Sequence, residues 1–509
     1  MSHFVAGILR IILLEASACL LVLERVIDVA AVPLRARRRW ASYAVAALSV
    51  YAFVNFGELH GDGRLVHPWE QYHFFLGSKY LREVGYFDLY RATLLADRDG
   101  PHRLDRVTRT RDLHTFDLVD VDRALADGAA VRARFTDARW DAFKSDWASL
   151  SRWPAPWNDI VADHGNSGSP AWAVVALPFV ELFGCSPAGQ TALGALDLVL
   201  VALLFVFLVR AYGAEAGAVG LVIFCLTPFT FDYLAGSILR WDWLFAVGMA
   251  FACQRRGRPA LAGAFLGYAI ASKLFPLFFA AALGLWLVVD TVRRRRLHPH
   301  LLRFAAGATA AAVIAVAASS AAFGTSAWRG YGERIAVTQA EKYYPNQYSL
   351  RTVFLQLVES TPHEIATGLF KPAVIKQSLP RVSADADRPG LVAVQIALTA
   401  AALVAIARGG AEEALAAGPF LVFIWLTVNA YYWNMLGLTA LVWAGAQLER
   451  RRLSVPLVGV HAIWGAYYLY QHLDMGFAEG YFVALLLLGL LVVWATSLIS
   501  RRRVLGSAA

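Results

Sequence analysis

Apolar runs of roughly twenty residues recur along this chain, and short knots of basic residues punctuate them. A run of that length crosses a hydrocarbon layer as a helix. A lipid-embedded chain must satisfy its backbone polar groups internally, so repeated runs leave a helical bundle as the architecture. Composition agrees: of 509 residues, 58% are hydrophobic and only 17% charged. A soluble protein of this size has no interior large enough for that much apolar surface. The net charge of +9 is confined to knots such as "RARRR" (35–39), "QRRGR" (254–258), "RRRR" (293–296), "ERRR" (449–452) and "RRR" (501–503). Knots between apolar runs are topology signals rather than a nucleic-acid surface.

Spans are expected near 40–57, 189–209, 213–230, 236–253, 259–274, 275–291, 302–322, 390–408, 416–432, 434–448, 454–470 and 481–499. With the N-terminal run this gives an all-α polytopic membrane protein of about 12 or 13 transmembrane helices. Placing 34–39 in the cytoplasm puts the other basic knots, Arg210 and Arg408 on the same side, as the positive-inside rule requires. The run 171–184 breaks that parity as a full span, so it reads as a juxtamembrane or re-entrant segment on the outer side. Residues 4–33 carry Arg10, Glu15, Glu24 and Arg25. They span with the N-terminus outside or lie in the interface; the pattern fits both. The chain divides into an N-terminal apolar segment (1–39), a membrane module (40–322) with an outer loop at 58–170, a second outer loop (323–389) and C-terminal helices (390–509). Cys19, Cys185, Cys225 and Cys253 lie in or beside apolar runs, which implies neither a disulfide framework nor a zinc site. No cleavable leader is recognised at the start, so the membrane segments are expected to direct the chain to the cell inner (plasma) membrane.

The first outer loop opens with "FGELHGDGRLVHPWEQY" (56–72), which sets Glu58, His60, Asp62, Arg64, His67 and Glu70 where the chain leaves the bilayer. Charges at a boundary are ordinarily just solvated. Here a helix-like segment follows (69–90), with Phe74, Phe75, Tyr80, Leu81 and Val84 on one side; it would lie along the outer interface and hold Glu70 at its start. Lys273, in "AIASKLFP", sits inside apolar sequence near the outer end of a span, and an ionisable group there is a functional candidate. Arg240 and Asp242 open the preceding span and are placed to pair. His60, His67 and His73 lack the spacing of a helical metal site, and no metal or other cofactor is expected.

The order of these features resembles the GT-C superfamily of membrane glycosyltransferases, which use sugars carried on polyprenyl phosphate. The matching elements are Glu70, Tyr72, Gly85 and "FDLY" (87–90); "NSGSPAWAVVALPFVELFG" (166–184); and 236–279, with Asp242, Lys273 and Pro276. The "NQYSLRTVF" stretch (346–354) and "NAYYWNMLGL" (429–438), which has Asn434 but no histidine, are similar to elements of polyprenyl-phosphate-mannose-dependent mannosyltransferases of bacterial envelopes.

The resemblance implies transfer of a sugar, hexose or pentose, from a polyprenyl-phosphate donor to an acceptor hydroxyl on the periplasmic or outer face, in cell envelope biogenesis. The acceptor is an envelope glycan, a glycolipid or a protein; nucleic acid is not a partner. One carboxylate removing the hydroxyl proton suffices for inversion; Glu70 is the candidate base and Asp62 the alternative. Lys273, Arg240, Arg329 and Arg351 are the candidates for the donor phosphate. Tyr72, His73, Asp242, Asn346, Gln347 and His164 are the candidates for sugar or acceptor contacts. A transporter or flippase of lipids or lipid-linked sugars is the competing class, and no internal symmetry of the kind such folds carry is visible.

Overall fold

In the computed structural model the chain is a helical membrane bundle with a helical subdomain at one end. The structure describes residues 2–26, 32–61, 63–126, 128–340, 347–359, 389–450, 452–472 and 479–499. Each expected span falls on a helix. Among the described residues, five helices are long and apolar enough to cross a membrane: His3–Glu24, Pro187–Tyr212, Pro299–Phe323, Pro389–Arg408 and Gly480–Ile499. Four of the other expected spans fall on shorter helices, Ala214–Leu226, Asp242–Arg255, Pro259–Ser272 and Gly418–Trp425, which end or begin well inside their apolar runs. What continues each run is turn or extended backbone at 227–229, 235–241, 273–276 and 426–429. Such backbone is tolerated at membrane depth only where protein buries it or a cavity solvates it.

The N-terminal helix α1 (His3–Val26) packs against α2 (Val32–Phe53) and along Val455–His472. It is therefore packed as a member of the bundle. The alanine-rich helices Pro259–Ser272 and Pro299–Phe323 approach most closely. A Cβ added to Gly263 would lie 2.0 Å from the Phe304 carbonyl oxygen, and one on Gly267 2.1 Å from that of Ala308. Small residues let the two backbones touch, the usual source of association where lipid supplies no hydrophobic drive.

The described residues of the basic knots collect at one end of the bundle. There Arg38 and Arg39 pair with Glu215, Arg255 with Glu412 and Glu449, and Arg450 with Glu413. The subdomain occupies the opposite end. It has its own core, built from Tyr72, Tyr80, Tyr90, Trp140, Phe143, Trp147 and Trp157. It includes the helix Asp137–Leu150 and a hairpin of β1 (Arg109–Arg111) and β2 (Leu118–Asp120). The segment expected to lie along the interface is helical but buried in this core: Phe75, Leu76 and Tyr80 are fully enclosed. The apolar run 171–184 forms the short helix Pro170–Phe183, whose start meets the end of Pro259–Ser272 through Ser169 Oγ, which donates to the Ala271 carbonyl at 2.7 Å.

Candidate active site

Where the subdomain meets the bundle, a short helix, α3 (Pro68–Gln71), carries Glu70. His67 caps it from an extended conformation, its Nδ1 accepting from the Glu70 amide at 3.3 Å. Pro68 suits the first helical position, where no amide is needed. The turn is fastened to the unwound segment 235–241. The His67 amide and Gln71 Nε2 both donate to the Gly236 carbonyl at 3.0 Å. Gly236 has φ +74°, and a Cβ there would stand 1.8 Å from the Leu65 oxygen, so glycine is required. Four residues on, Arg240 places Nε 2.7 Å from Glu70 Oε2 as an ion pair. The guanidinium lies 3.9 Å from the centre of the Phe74 ring, a favourable cation–π stack.

Burial pushes the Glu70 carboxyl up, Arg240 opposes this, Asp163 adds to it and Lys273 opposes it; the result is about 7. The side chain keeps 16% of its surface exposed, and it lines a cavity of about 760 Å³. That volume is in the range of small-molecule sites. Burial drives His67 down to about 3 and His73 down to about 4, so both rings are neutral near pH 7. Burial also works against the Asp163 carboxylate. Hydrogen bonds from His164 (Nδ1 to Oδ1, 2.9 Å) and Trp69 (Nε1 to Oδ2, 2.7 Å), with His73 nearby, outweigh it and hold Asp163 below the usual carboxylate range.

The other walls come from distant stretches. Lys273 directly follows the helix Pro259–Ser272 in extended conformation; its Nζ donates to the Ser167 carbonyl at 3.3 Å and stands 6.0 Å over the Tyr432 ring. One face of the helix Thr325–Ala340 supplies Tyr331, Arg334, Ile335 and Thr338, a helical spacing. Arg334 lies 4.3 Å over the Phe116 ring. Two residues on each side form an antiparallel ladder, β3 (Gln347–Tyr348) with β4 (Val428–Asn429), pairing Gln347 with Asn429. The ladder brings "NQYSLRTVF" and "NAYYWNMLGL" together and sets Gln347, Arg351, Tyr431 and Tyr432 around one space. Arg240, Lys273, Arg334 and Arg351 face this space with Glu70, Asp163 and Asp232. With Arg240 turned to Glu70, the cationic side is Lys273, Arg334 and Arg351.

The cavity thus gathers Glu70, Arg240, Lys273, Arg351, His73, His164 and Gln347 of the residues expected from sequence. Three others lie elsewhere. Tyr72 is buried in the subdomain core, its hydroxyl donating to Thr93 Oγ1 at 2.8 Å. A π-helical turn at Tyr72–Leu76 resets the face on which side chains project. Asp242 is buried behind the Lys273 turn, and its Oδ2 accepts from Tyr268 at 2.7 Å and Ser272 at 2.6 Å; the expected pair with Arg240 is replaced by the Glu70–Arg240 pair. Arg329 is exposed on the far face of its helix, and Arg334 is the arginine of that helix that lines the cavity. Asp62 and Asn346 lie outside the described residues. Asp163, Asp232, Tyr431 and Tyr432 line the cavity without having been singled out. For the two tyrosines, the quoted 429–438 element was a usable signal; for Asp163 there was none. Among the described residues, no three His, Cys, Asp or Glu side chains are grouped to hold a metal ion.

Residues 168–418, just under half of the chain, match the sequence model of Glycosyltransferase family 87. Neither a curated protein nor a solved structure matches. The matched stretch carries Arg240, Lys273, Arg334 and Arg351; Glu70 and the two tyrosines lie outside it.

Proposed function

We propose that this chain, similar over residues 168–418 to Glycosyltransferase family 87, is a glycosyltransferase of the GT-C type that moves a sugar from a polyprenyl-phosphate donor to an acceptor hydroxyl, with inversion, and that Glu70 is the base. One observation carries the reading: a single cavity joins a carboxyl poised near neutrality to a wall of Lys273, Arg334 and Arg351. The acceptor oxygen attacks the anomeric carbon and its proton passes to Glu70. The bond from that carbon to the phosphate oxygen breaks, and the polyprenyl phosphate leaves with the electron pair. A base with a pKa near working pH is well matched to this step. Preorganised cations stabilise the charge that develops on the phosphate. Gln347, His73 and His164 are assigned to sugar and acceptor hydroxyls.

The described residues of the basic knots sit at the opposite end of the bundle, and the positive-inside rule would put that end in the cytoplasm. The cavity then opens outside the inner membrane, where the acceptor is an envelope glycan, glycolipid or protein. A donor whose tail stays in the bilayer explains why the base stands at the junction of bundle and subdomain. The test is transfer, or slow hydrolysis, of synthetic polyprenyl-phosphate sugars by the purified protein. Glu70→Gln should lower the rate by at least about a hundredfold while donor still binds. Undiminished turnover in the variant, or no donor bound by the wild type, would sink the proposal.

A further inference from the structure

Asp232 enters the same cavity from the short helix Thr230–Leu234, with its neighbour Tyr233 beside it. Its side chain is held from outside the cavity. Asn55 Nδ2 donates to Asp232 Oδ1 at 2.6 Å, and Arg10 of α1 donates to Asn55 Oδ1, also at 2.6 Å, and to the Ala52 carbonyl at 3.1 Å. Arg10 is itself enclosed between the rings of Phe56 and Tyr468, at 5.6 and 5.7 Å. A charge within an apolar span is costly without such partners. The turn that presents Asn55 is strained: Asn55, Phe56 and Leu59 all have positive φ, at 52°, 57° and 52°. Phenylalanine and leucine rarely adopt that region, and strain of this kind persists where surrounding contacts over-determine it. Arg10, Asn55 and the strained turn thus converge on the orientation of one carboxylate.

Beside it lies an aromatic shelf. Tyr233 stacks on Tyr431 (5.6 Å between centres, 23° between planes), Tyr431 packs on Tyr432 at 4.6 Å, and Lys273 stands over Tyr432. Asn429 fixes Tyr431 by donating to its hydroxyl at 2.9 Å. Along this shelf the chemistry runs from a cation to flat rings to an oriented carboxylate. That order matches a phosphate, a sugar ring and the ring's hydroxyls. On the far side His67 links Asp232 to Glu70, its ring contacting the Asp232 backbone carbonyl and accepting from the Glu70 amide.

We propose that Asp232 is the sugar-reading residue of the donor site: its carboxylate, set by Arg10 through Asn55, accepts hydrogen bonds from hydroxyls of the donor sugar lying along Tyr431 and Tyr233. This rests on the lipid-phosphate-sugar reading above. Asp232 contacts substrate; Asn55 and Arg10 are positioning residues. It also gives α1 a role in the site that a membrane anchor would not have.

The experiment compares the full-length protein with Asp232→Asn for binding of a synthetic polyprenyl phosphate, bare and carrying mannose, glucose or arabinose. Asparagine keeps an oxygen for Asn55 Nδ2, removes the charge and replaces the second acceptor oxygen by a donor. The wild type should bind its preferred glycosylated lipid more tightly than the bare one. In the variant that advantage should shrink by about tenfold to a hundredfold, the worth of a hydrogen bond to a charged group, with the bare lipid unaffected. Arg10→Leu should reduce the same advantage, and Arg10→Lys should restore part of it. The assignment is overturned if the sugar's contribution survives in Asp232→Asn, if bare and glycosylated lipids weaken equally, or if only the acceptor's KM rises. Failure of the wild type to bind either lipid would instead remove the donor reading, and this assignment with it.

Discussion

Replacing Arg240 by methionine asks whether this arginine serves Glu70, the proposed base, or the phosphate of the proposed donor. Its Nε lies 2.7 Å from Glu70 Oε2, with the two charge centres on the order of 4 Å apart. At an effective dielectric constant of about 20 that separation corresponds to about 4 kcal/mol, or about three pK units. Partial solvent access to Glu70 reduces this, and one to two units is the expected rise. Glu70 stands at about 7 in the intact site, so it is about half ionised at pH 7. In Arg240→Met, with a pKa of about 8 to 9, the ionised fraction at pH 7 falls to about a tenth or a hundredth. Activity at pH 7 should therefore drop by about five- to fiftyfold and recover substantially by pH 9. The assay is a pH–rate profile of donor hydrolysis for both proteins. A rising limb displaced to higher pH, with the alkaline plateau retained, is the expected result. A loss of equal size at every pH would refute the reasoning and assign Arg240 to the phosphate.

Lys273→Met should weaken binding of a bare polyprenyl phosphate by about tenfold to a hundredfold, and Lys273→Arg should recover part of it; unchanged affinity, read by competition, would exclude Lys273 from the phosphate site. Glu70 should also show in stability. Its pKa is raised from 4.5 to about 7, so the folded state holds the proton more tightly than the unfolded one. Stability should then fall as pH rises through that window, by about 3 kcal/mol at most. Relative to Glu70→Gln, wild-type thermal stability should decline between pH 5 and 8; parallel curves would contradict it. Gly267→Ala would press a Cβ to 2.1 Å from the Ala308 oxygen, whereas at Gly284 nothing lies within 4 Å. The first should lower the thermal midpoint and the yield of folded protein, and Gly284→Ala should leave both unchanged.

The spans and their common polarity were legible because they follow from run length and charge placement alone. Hydropathy does not register where a helix stops inside an apolar run. Leu426 and Val428 read as the interior of a span, yet they lie in extended backbone that lines the cavity. Glu70, Lys273 and Arg240 were legible for a simple reason: a charge in or beside apolar sequence is costly unless something uses it. Their neighbours were harder. Arg329 and Arg334 are both arginines of one loop by sequence, and only the helix Thr325–Ala340 turns one outward and the other inward. Asp242, two residues past Arg240, was matched to the wrong partner because Ser272 and Tyr268 reach it from another helix.

Those misreadings share a cause. The site is assembled from the points where helices unwind, and each unwound segment exposes backbone groups that must be satisfied from elsewhere. Gly236 gives its carbonyl to His67 and Gln71, Ala271 to Ser169, Ser167 to Lys273 and Ala235 to His60. Every one of these bonds joins stretches far apart in the chain. Together they hold Glu70, at the edge of the subdomain, against Lys273, at the end of a bundle helix. A local change at Gly236 should accordingly disturb Glu70 although no side chain there touches it. Gly236→Ala, with its Cβ 1.8 Å from the Leu65 oxygen and φ at +74°, should displace α3. Catalysis should then fall in whatever folded protein survives, while bare polyprenyl phosphate, for which Lys273 on the other wall is the proposed anchor, should still bind. Loss of both functions together in folded protein would mean that the two walls do not act as separable parts.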